Sequence, residues 1–446
     1  MIKFLIFIFI IFTLQNCSFK NPGGFFEDKY EKLQREIARK NSILVFEKKK
    51  VFEEEISGKT NKKLSEAYII SNWTEKNFDK NNYIPHIKYE NKLQLIYKSK
   101  KIGNKKFNVQ DKVFEPIFYG NKIYFYDLSG NIYAFSINQK KLIWKFNFYK
   151  KRFKKIPINI KMIISNENII LSDNLGYIYS ININSGKLVW AKNYGVPFRS
   201  NIKIDDNNIF LLNQDNKFYT IKEKTGEKTL DLETFPSFLK SKLETTISLD
   251  PKNKNLYFIT SSGELYSINY ATRNINWLST IFSDNAEKGS SLFFSSPIIY
   301  EGNKIFFSSS ESTFSINSKN GIVNWKFPFG TYIRPVYTNN YIFLVSENGL
   351  LLNLNNKNGK VIWSKNLFKA SKKIKKNKIG FIKSLFLVSN QLLITTSNGY
   401  FIFVNYQDGN ITKYTKASRV GFFSNPIFVD NKMYIIDNKM RVLVYN

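Results

Sequence analysis

The chain has 446 residues, and 67 Lys and Arg against 35 Asp and Glu give it a formal net charge of +32, with one His and one Cys. At 43% hydrophobic and 16% aromatic residues it is too apolar for a disordered chain, and it is long enough to bury one large core or two ordinary ones. The single cysteine excludes an intramolecular disulfide and Cys-rich zinc or iron–sulfur sites, and the single histidine, His86, excludes paired-His metal binding. A Ser-His-Asp or Cys-His mechanism would have to run through that one histidine.

Residues 1–16 read as a signal peptide. Lys3 precedes an unbroken apolar run over residues 4–12, the length of a signal core and too short to span a bilayer. The run ends in Leu14-Gln15-Asn16-Cys17, which resembles a lipobox with Asn16 where a small residue is usual. Cys17 is therefore expected to be acylated and to hold the protein on a membrane without a transmembrane helix; the alternative is an ordinary signal that happens to end in a cysteine. Residues 17–85 are expected to be the lipidated cysteine followed by a tether. Within it, residues 27–63 are rich in Lys and Glu with scattered apolar positions, and read as a solvated spacer or a helical segment.

Beyond residue 90 the sequence repeats. A turn glycine stands fourteen residues before a tryptophan at Gly130 and Trp144, Gly176 and Trp190, Gly263 and Trp277, and Gly349 and Trp363. Glu311 and Trp325 keep the spacing without the glycine, while Asn216 with Leu230 and Gly399 with Lys413 keep it without the tryptophan. A second glycine follows ten residues after the first turn position at Gly186, Gly226, Gly321, Gly359 and Gly409. Each unit alternates apolar and polar residues on both sides of a tight turn, as hairpin strands do. The pattern predicts an all-β fold, an eight-bladed β-propeller of four-stranded antiparallel blades over residues 86–446. The eighth unit stops short of its last strand, and Leu95-Ile96-Tyr97-Lys98 matches Leu142-Ile143-Trp144-Lys145. An N-terminal strand is thus expected to complete the last blade and remove its open edge. The repeated tryptophans are expected to pack between neighbouring sheets, a cofactor-binding stack being the sharper alternative.

Lys, Asn and Ile dominate the whole chain, as an A+T-rich coding bias would produce, so part of the charge is compositional. The densest basic runs, residues 150–155 and 372–376, fall between periodic segments. They read as solvated loops or as contacts for an anionic partner such as lipid headgroups, an acidic polymer or nucleic acid.

The frame of glycine, strand, Asp/Asn-x-Gly-Lys and Ile/Val-x-Trp over about residues 90–446 resembles the pyrroloquinoline-quinone-type propeller repeat. One family with this repeat, the quinoprotein dehydrogenases, holds quinone and calcium at the propeller centre. Here the vicinal cysteines common in those enzymes are absent and Asp and Glu are sparse in the strands that would surround such a site. The order of signal, lone cysteine, tether and cofactor-free propeller resembles instead the BamB family of outer-membrane assembly lipoproteins. That resemblance implies a non-catalytic scaffold without cofactor or nucleic-acid partner. It would be lipid-anchored on the periplasmic face of the outer membrane, dock on the BamA-like POTRA domains of the barrel subunit, and possess a route to unfolded outer-membrane clients. It also implies contacts at Phe198 and Arg199, in the loop after Trp190, and at Glu244 in a following loop where Lys242 departs from the family's acidic pattern; the alternative for the first pair is a solvated Arg199 with Phe198 covering a blade edge. A periplasmic quinone-dependent dehydrogenase and an unrelated peptide-binding propeller are the alternative readings.

Overall fold

The computed structural model describes residues 51–90, 92–104, 107, 114–149, 153–234, 244–281, 293–371 and 374–446. Among these, thirty-two strands form eight four-stranded antiparallel sheets, seven of them built from strands adjacent in sequence. Blade 1 spans residues 117–147, blade 2 160–193, blade 3 203–232, blade 4 247–280, blade 5 299–327, blade 6 336–366 and blade 7 382–416. Blade 8 takes three strands from residues 427–445 and its outermost from Leu95–Lys98, which pairs antiparallel with Val442–Tyr445. The ring is closed by this exchange, and blade 8 is left with no incomplete sheet.

The middle strands are apolar on both faces because each blade is covered by its two neighbours. Ile169, Ile170 and Leu171 are all fully buried, as are Leu392, Leu393 and Ile394. The outermost strands are half exposed, and Lys141–Asn147 alternates accordingly. Turns between the second and third strands are capped by side chains: Asp127 Oδ1 accepts the Ser129 and Asn131 amides (2.9 and 3.1 Å), and Asp437 Oδ1 accepts those of Lys439 and Arg441 (2.9 and 3.1 Å). Gly130 in the first of these turns has φ +80, a conformation an L side chain rarely adopts.

The repeated tryptophans and the second set of glycines form one device between successive blades. Trp144 of blade 1 donates its indole N–H to the Ile183 carbonyl of blade 2 (3.0 Å), and its ring lies where a Cβ on Gly186 would be, 2.6 Å away. The same pairing joins Trp190 to Gly226, Trp277 to Gly321, Trp325 to Gly359 and Trp363 to Gly409. Where the tryptophan is lost the glycine is lost too. Blade 3 has Leu230, and the matching turn of blade 4 carries Arg273 at φ 65. Blade 8 has Tyr97, and the turn of blade 1 carries Lys140 at φ 53 with its ammonium 5.5 Å from the Tyr97 ring. Steric exclusion by the indole, on top of the positive φ, therefore selects glycine at these turns.

The strand alternation defines two faces. Turns between second and third strands and the loops joining successive blades lie on one, the loop face; the other two turns of each blade lie opposite.

Residues 51–90 correct an expectation. They form neither a free spacer nor a helix, but an extended strap bound to the propeller. Ile56 exchanges both backbone hydrogen bonds with Ser364 at the outer edge of blade 6 (3.1 and 2.9 Å), and the Thr60 amide bonds the Gln407 carbonyl of blade 7 (2.9 Å). From Ile70 to Ile87 the strap then makes a circuit of the channel on the face opposite the loops. It meets blade 8 (Asp430 N to Ile70 O, 2.8 Å), blade 1 (Trp73 and Phe118, 2.9 and 2.7 Å) and blade 2 (Ile164 N to Thr74 O, 2.9 Å). Blades 4 and 5 follow (Leu249 N to Lys80 O, 2.9 Å; Tyr300 N to Asn81 O, 3.0 Å), then blade 6 through the Tyr83 and Tyr337 rings, 5.9 Å apart. The circuit ends on blade 7, where Ile87 bonds the Leu387 carbonyl (3.0 Å). The innermost strand of a propeller blade has an unpaired edge, and the strap supplies it with partners that water would otherwise provide.

Candidate functional site

The innermost strands of blades 2 to 4 carry buried polar and charged side chains, Lys161, Lys203, Asp205, Ser248 and Asp250 among them, and the strap pairs with several of these. Lys203, on the innermost strand of blade 3, is fully buried; its ammonium donates to Glu75 Oε2 of the strap and to the Asp79 carbonyl (2.6 Å). Burial pushes the Glu75 carboxyl above the usual carboxylate range, and the Lys203 charge beside it pulls the other way. Asn82, also fully buried, donates to the Ile247 and Ile298 carbonyls of blades 4 and 5 (2.9 and 2.7 Å). Asp205 holds Lys80 of the strap (2.7 Å) and Lys254 (3.1 Å), and the hydrogen bonds from these keep its carboxyl below the ordinary range despite burial. His86 closes the strap. Its Nδ1 lies 2.8 Å from the Ser65 carbonyl and its Nε2 accepts the Asn390 amide (2.9 Å), a pairing that requires the neutral ring, and burial lowers its pKa.

A second group lies where the chain enters the innermost strands. Glu115 accepts the Trp73 indole N–H and the Asn77 amide (both 2.9 Å); burial raises its pKa, against the pull of Lys76. Arg334, before blade 6, has its guanidinium pushed down to about 10 by burial, with Glu115 opposing. Lys76 pairs with Glu244 at 2.6 Å. Lys76, Glu115, Lys161 and Glu244 border a cavity of ≈ 20 Å³, room for about one water molecule.

The residues expected to contact a partner are distributed differently from that expectation. Phe198 is fully buried, stacked edge-on against Tyr194 and Tyr219 (5.9 and 6.0 Å), and its carbonyl accepts the Lys161 ammonium (2.9 Å). It is a packing residue and presents nothing to a partner, because the loop turns it under the blade edge. Arg199 is half-buried, its pKa lowered by burial while Glu244 acts to raise it. Arg199 and Glu244 thus meet electrostatically on adjacent blades, although Glu244 is held inward by Lys76. Cys17 and residues 1–16 lie outside the described residues, as do Lys150 to Arg152, Lys372 and Lys373 of the basic runs, and Ser241, Lys242 and Leu243 beside Glu244.

Sequence reading missed the strap residues Trp73, Glu75, Asn77, Lys80 and Asn82. The available signals were a sixth tryptophan outside the repeat frame and the lone histidine, both beside an asparagine-rich stretch with neither strand nor helix period.

Comparisons with known proteins place these features. A family model described as outer membrane protein assembly factor BamB matches residues 128–365. An uncharacterized protein of Rickettsia conorii (strain ATCC VR-613 / Malish 7) is 23% identical over 317 residues, and one of Rickettsia prowazekii (strain Madrid E) is 22% identical over 319 residues. Each match covers 67% of this chain and 61% of the relative, so the chain spans about three fifths of the length of the curated relatives it matches. Among solved structures, BamB from Moraxella catarrhalis superimposes with a TM-score of 0.62 at 11% identity, covering 79% of this chain and 99% of that one. Quinohemoprotein alcohol dehydrogenase from Comamonas testosteroni gives 0.62 at 11% identity, covering 84% and 80%. At such identity both likenesses are of fold, which scaffolds and enzymes share.

Proposed function

Because the chain belongs to the family of the outer membrane protein assembly factor BamB, we propose that it is a non-catalytic scaffold of the outer-membrane β-barrel assembly machinery. In this reading it is anchored through acylated Cys17 on the periplasmic face of the outer membrane. It docks on the POTRA domains of the barrel subunit and aids insertion of outer-membrane proteins. The observation that carries the reading is the strap. A propeller enzyme works on molecules held at its axis, and pockets that bury a drug-sized ligand run to about 300 Å³ or more. Here the channel charges at one end are spent on the chain's own segment, with Lys203 on Glu75 and Asp205 on Lys80. That arrangement favours the loops and the outer surface as the working parts.

With Phe198 buried, Arg199 is the residue left at that loop to meet a partner, and arginine is common at interface hot spots. The test is purification of the tagged full chain from its native host in mild detergent, with mass spectrometry of what accompanies it. A stoichiometric barrel protein with POTRA domains is expected, and Arg199→Glu should reduce its recovery while circular dichroism stays unchanged. Recovery of the propeller alone would sink the reading. The anchor is tested separately by the mass of the N-terminal peptide, which should start at a modified Cys17.

A further inference from the structure

We propose that the loop face of blades 7, 8 and 1 is a docking surface for an anionic, phosphate-bearing membrane surface. Charge is unevenly distributed around the ring. Residues 92–149 and 366–446, which build those blades and the loops into them, carry 24 Lys and Arg against 6 Asp and Glu; residues 199–281, blades 3 and 4, carry 11 against 10. A coding bias toward lysine raises both sectors alike and leaves the difference standing.

Folding enlarges it. On the loop face of blades 8 and 1 Asp437 and Asp127 are fully buried, occupied in capping their turns, Asp437 is also paired with Arg441, and Glu115 is turned onto Trp73 and Asn77 of the strap. Lys100, Lys369, Lys375, Lys376, Arg419 and Lys439 are exposed on the same face, from the loop after blade 6 to the end of the strand Leu95–Lys98. The carboxylates point in and the cations point out, so this sector presents a crescent of positive potential.

Lysine predominates in the crescent, and a strongly hydrated point charge suits diffuse attraction to headgroups better than bidentate reading of one ligand. A second observation selects the occupant. The strap reaches the propeller from the loop face, where the Phe52 amide bonds the Pro328 carbonyl (2.7 Å) just after the last strand of blade 5, before running across to Thr60 on the opposite face. The first described stretch of the strap, at Phe52, therefore lies on the face that carries the crescent. The choice of a membrane over another polyanion rests on the lipid-anchor reading, whose own test, the N-terminal peptide mass, is independent of vesicle binding.

The experiment is flotation of the full-length chain with vesicles of phosphatidylcholine alone and of phosphatidylcholine with phosphatidylglycerol. The leader and any acyl chain contribute to both, so the ratio of bound protein isolates the charge. The anionic vesicles should bind about tenfold more at low salt, the preference fading as salt rises. Combined Lys375→Glu, Lys376→Glu, Arg419→Glu and Lys439→Glu should abolish the preference. A matched set on the opposite face of blades 3 to 5, Lys222→Glu, Lys224→Glu, Lys252→Glu and Lys319→Glu, should retain most of it despite the same change in net charge. If the first set fails to fold by circular dichroism, the milder pair Arg419→Gln and Lys439→Gln should lower the ratio in a folded protein. A ratio near one for the unaltered chain, equal losses in the two four-fold variants, or full displacement from the vesicles by duplex DNA at equal phosphate concentration would each overturn the proposal.

Discussion

The blades and the strap hold the same ring together by opposite means. Blades join through a repeated apolar device, an indole seated over a glycine turn of the next blade, and each copy touches only its neighbour. The strap is a single unrepeated segment that touches every blade in turn, with ion pairs, amides and main-chain bonds at the axis. A repeated local joint tolerates loss at one position, as Leu230 and Arg273 together demonstrate. The strap has no second copy, so each of its buried polar contacts has to be satisfied where it stands.

Removing one partner of the buried axial pair is expected to have the largest effect. Lys203→Ala leaves the Glu75 carboxyl buried without the ammonium that pairs with it and should cost about 3–5 kcal/mol in urea unfolding. The double variant Glu75→Leu, Lys203→Met should recover most of that loss, and an equally unstable double variant would show that the strap depends on shape rather than on charge.

The blade joints come next. Trp363, fully buried, should lose about 3–5 kcal/mol on Trp363→Ala, whereas Trp190, only partly buried, should lose less on Trp190→Ala, roughly half as much. Equal losses measured by calorimetry would mean that the indole hydrogen bond, common to both, outweighs buried area. Gly186→Ala should lose about 1–2 kcal/mol from the positive φ, with a further loss from the Cβ that strikes the Trp144 ring. In a Trp144→Leu background the alanine should cost less, because the ring that a Cβ strikes is gone; an unchanged cost would break the proposed link between the two positions.

The smallest effect is titration at His86. Its folded pKa lies below the ordinary value of 6.5 because burial penalises the charged ring. The unfolded chain therefore binds more protons below that value. The contribution of neutral His86 is complete above about pH 7 and is lost as the pH falls through 6.5 toward the folded pKa. His86→Gln should flatten that part of the stability profile, and a slope unchanged by the substitution would place the acid sensitivity elsewhere, Asp205 being the next group to examine at lower pH.

Much of the propeller was legible because its rules are local. Gly130 and Trp144 stand at one spacing in one blade, and the same spacing at Gly349 and Trp363 reports the same hairpin and outer strand. Even the closing strand was visible, since Leu95 to Lys98 copies the outer strand of blade 1. The site was less legible. Phe198 beside Arg199 looks like an exposed pair in a loop, and nothing in the adjacent residues says that Tyr194 and Tyr219 will cover the ring. Arg199 and Glu244 are forty-five positions apart, and their approach depends on two blades standing side by side.

The sequence by itself determined the number of blades, their hairpins, the ring closure and which turns need glycine, because each follows from contacts inside one repeat or from a motif copied between repeats. Only the tertiary structure decided the course of residues 51–90, the burial of Phe198 and the separation of inward carboxylates from outward lysines on blades 7, 8 and 1. Those outcomes rest on single contacts between segments far apart in the chain, and such contacts leave no period in the sequence to read.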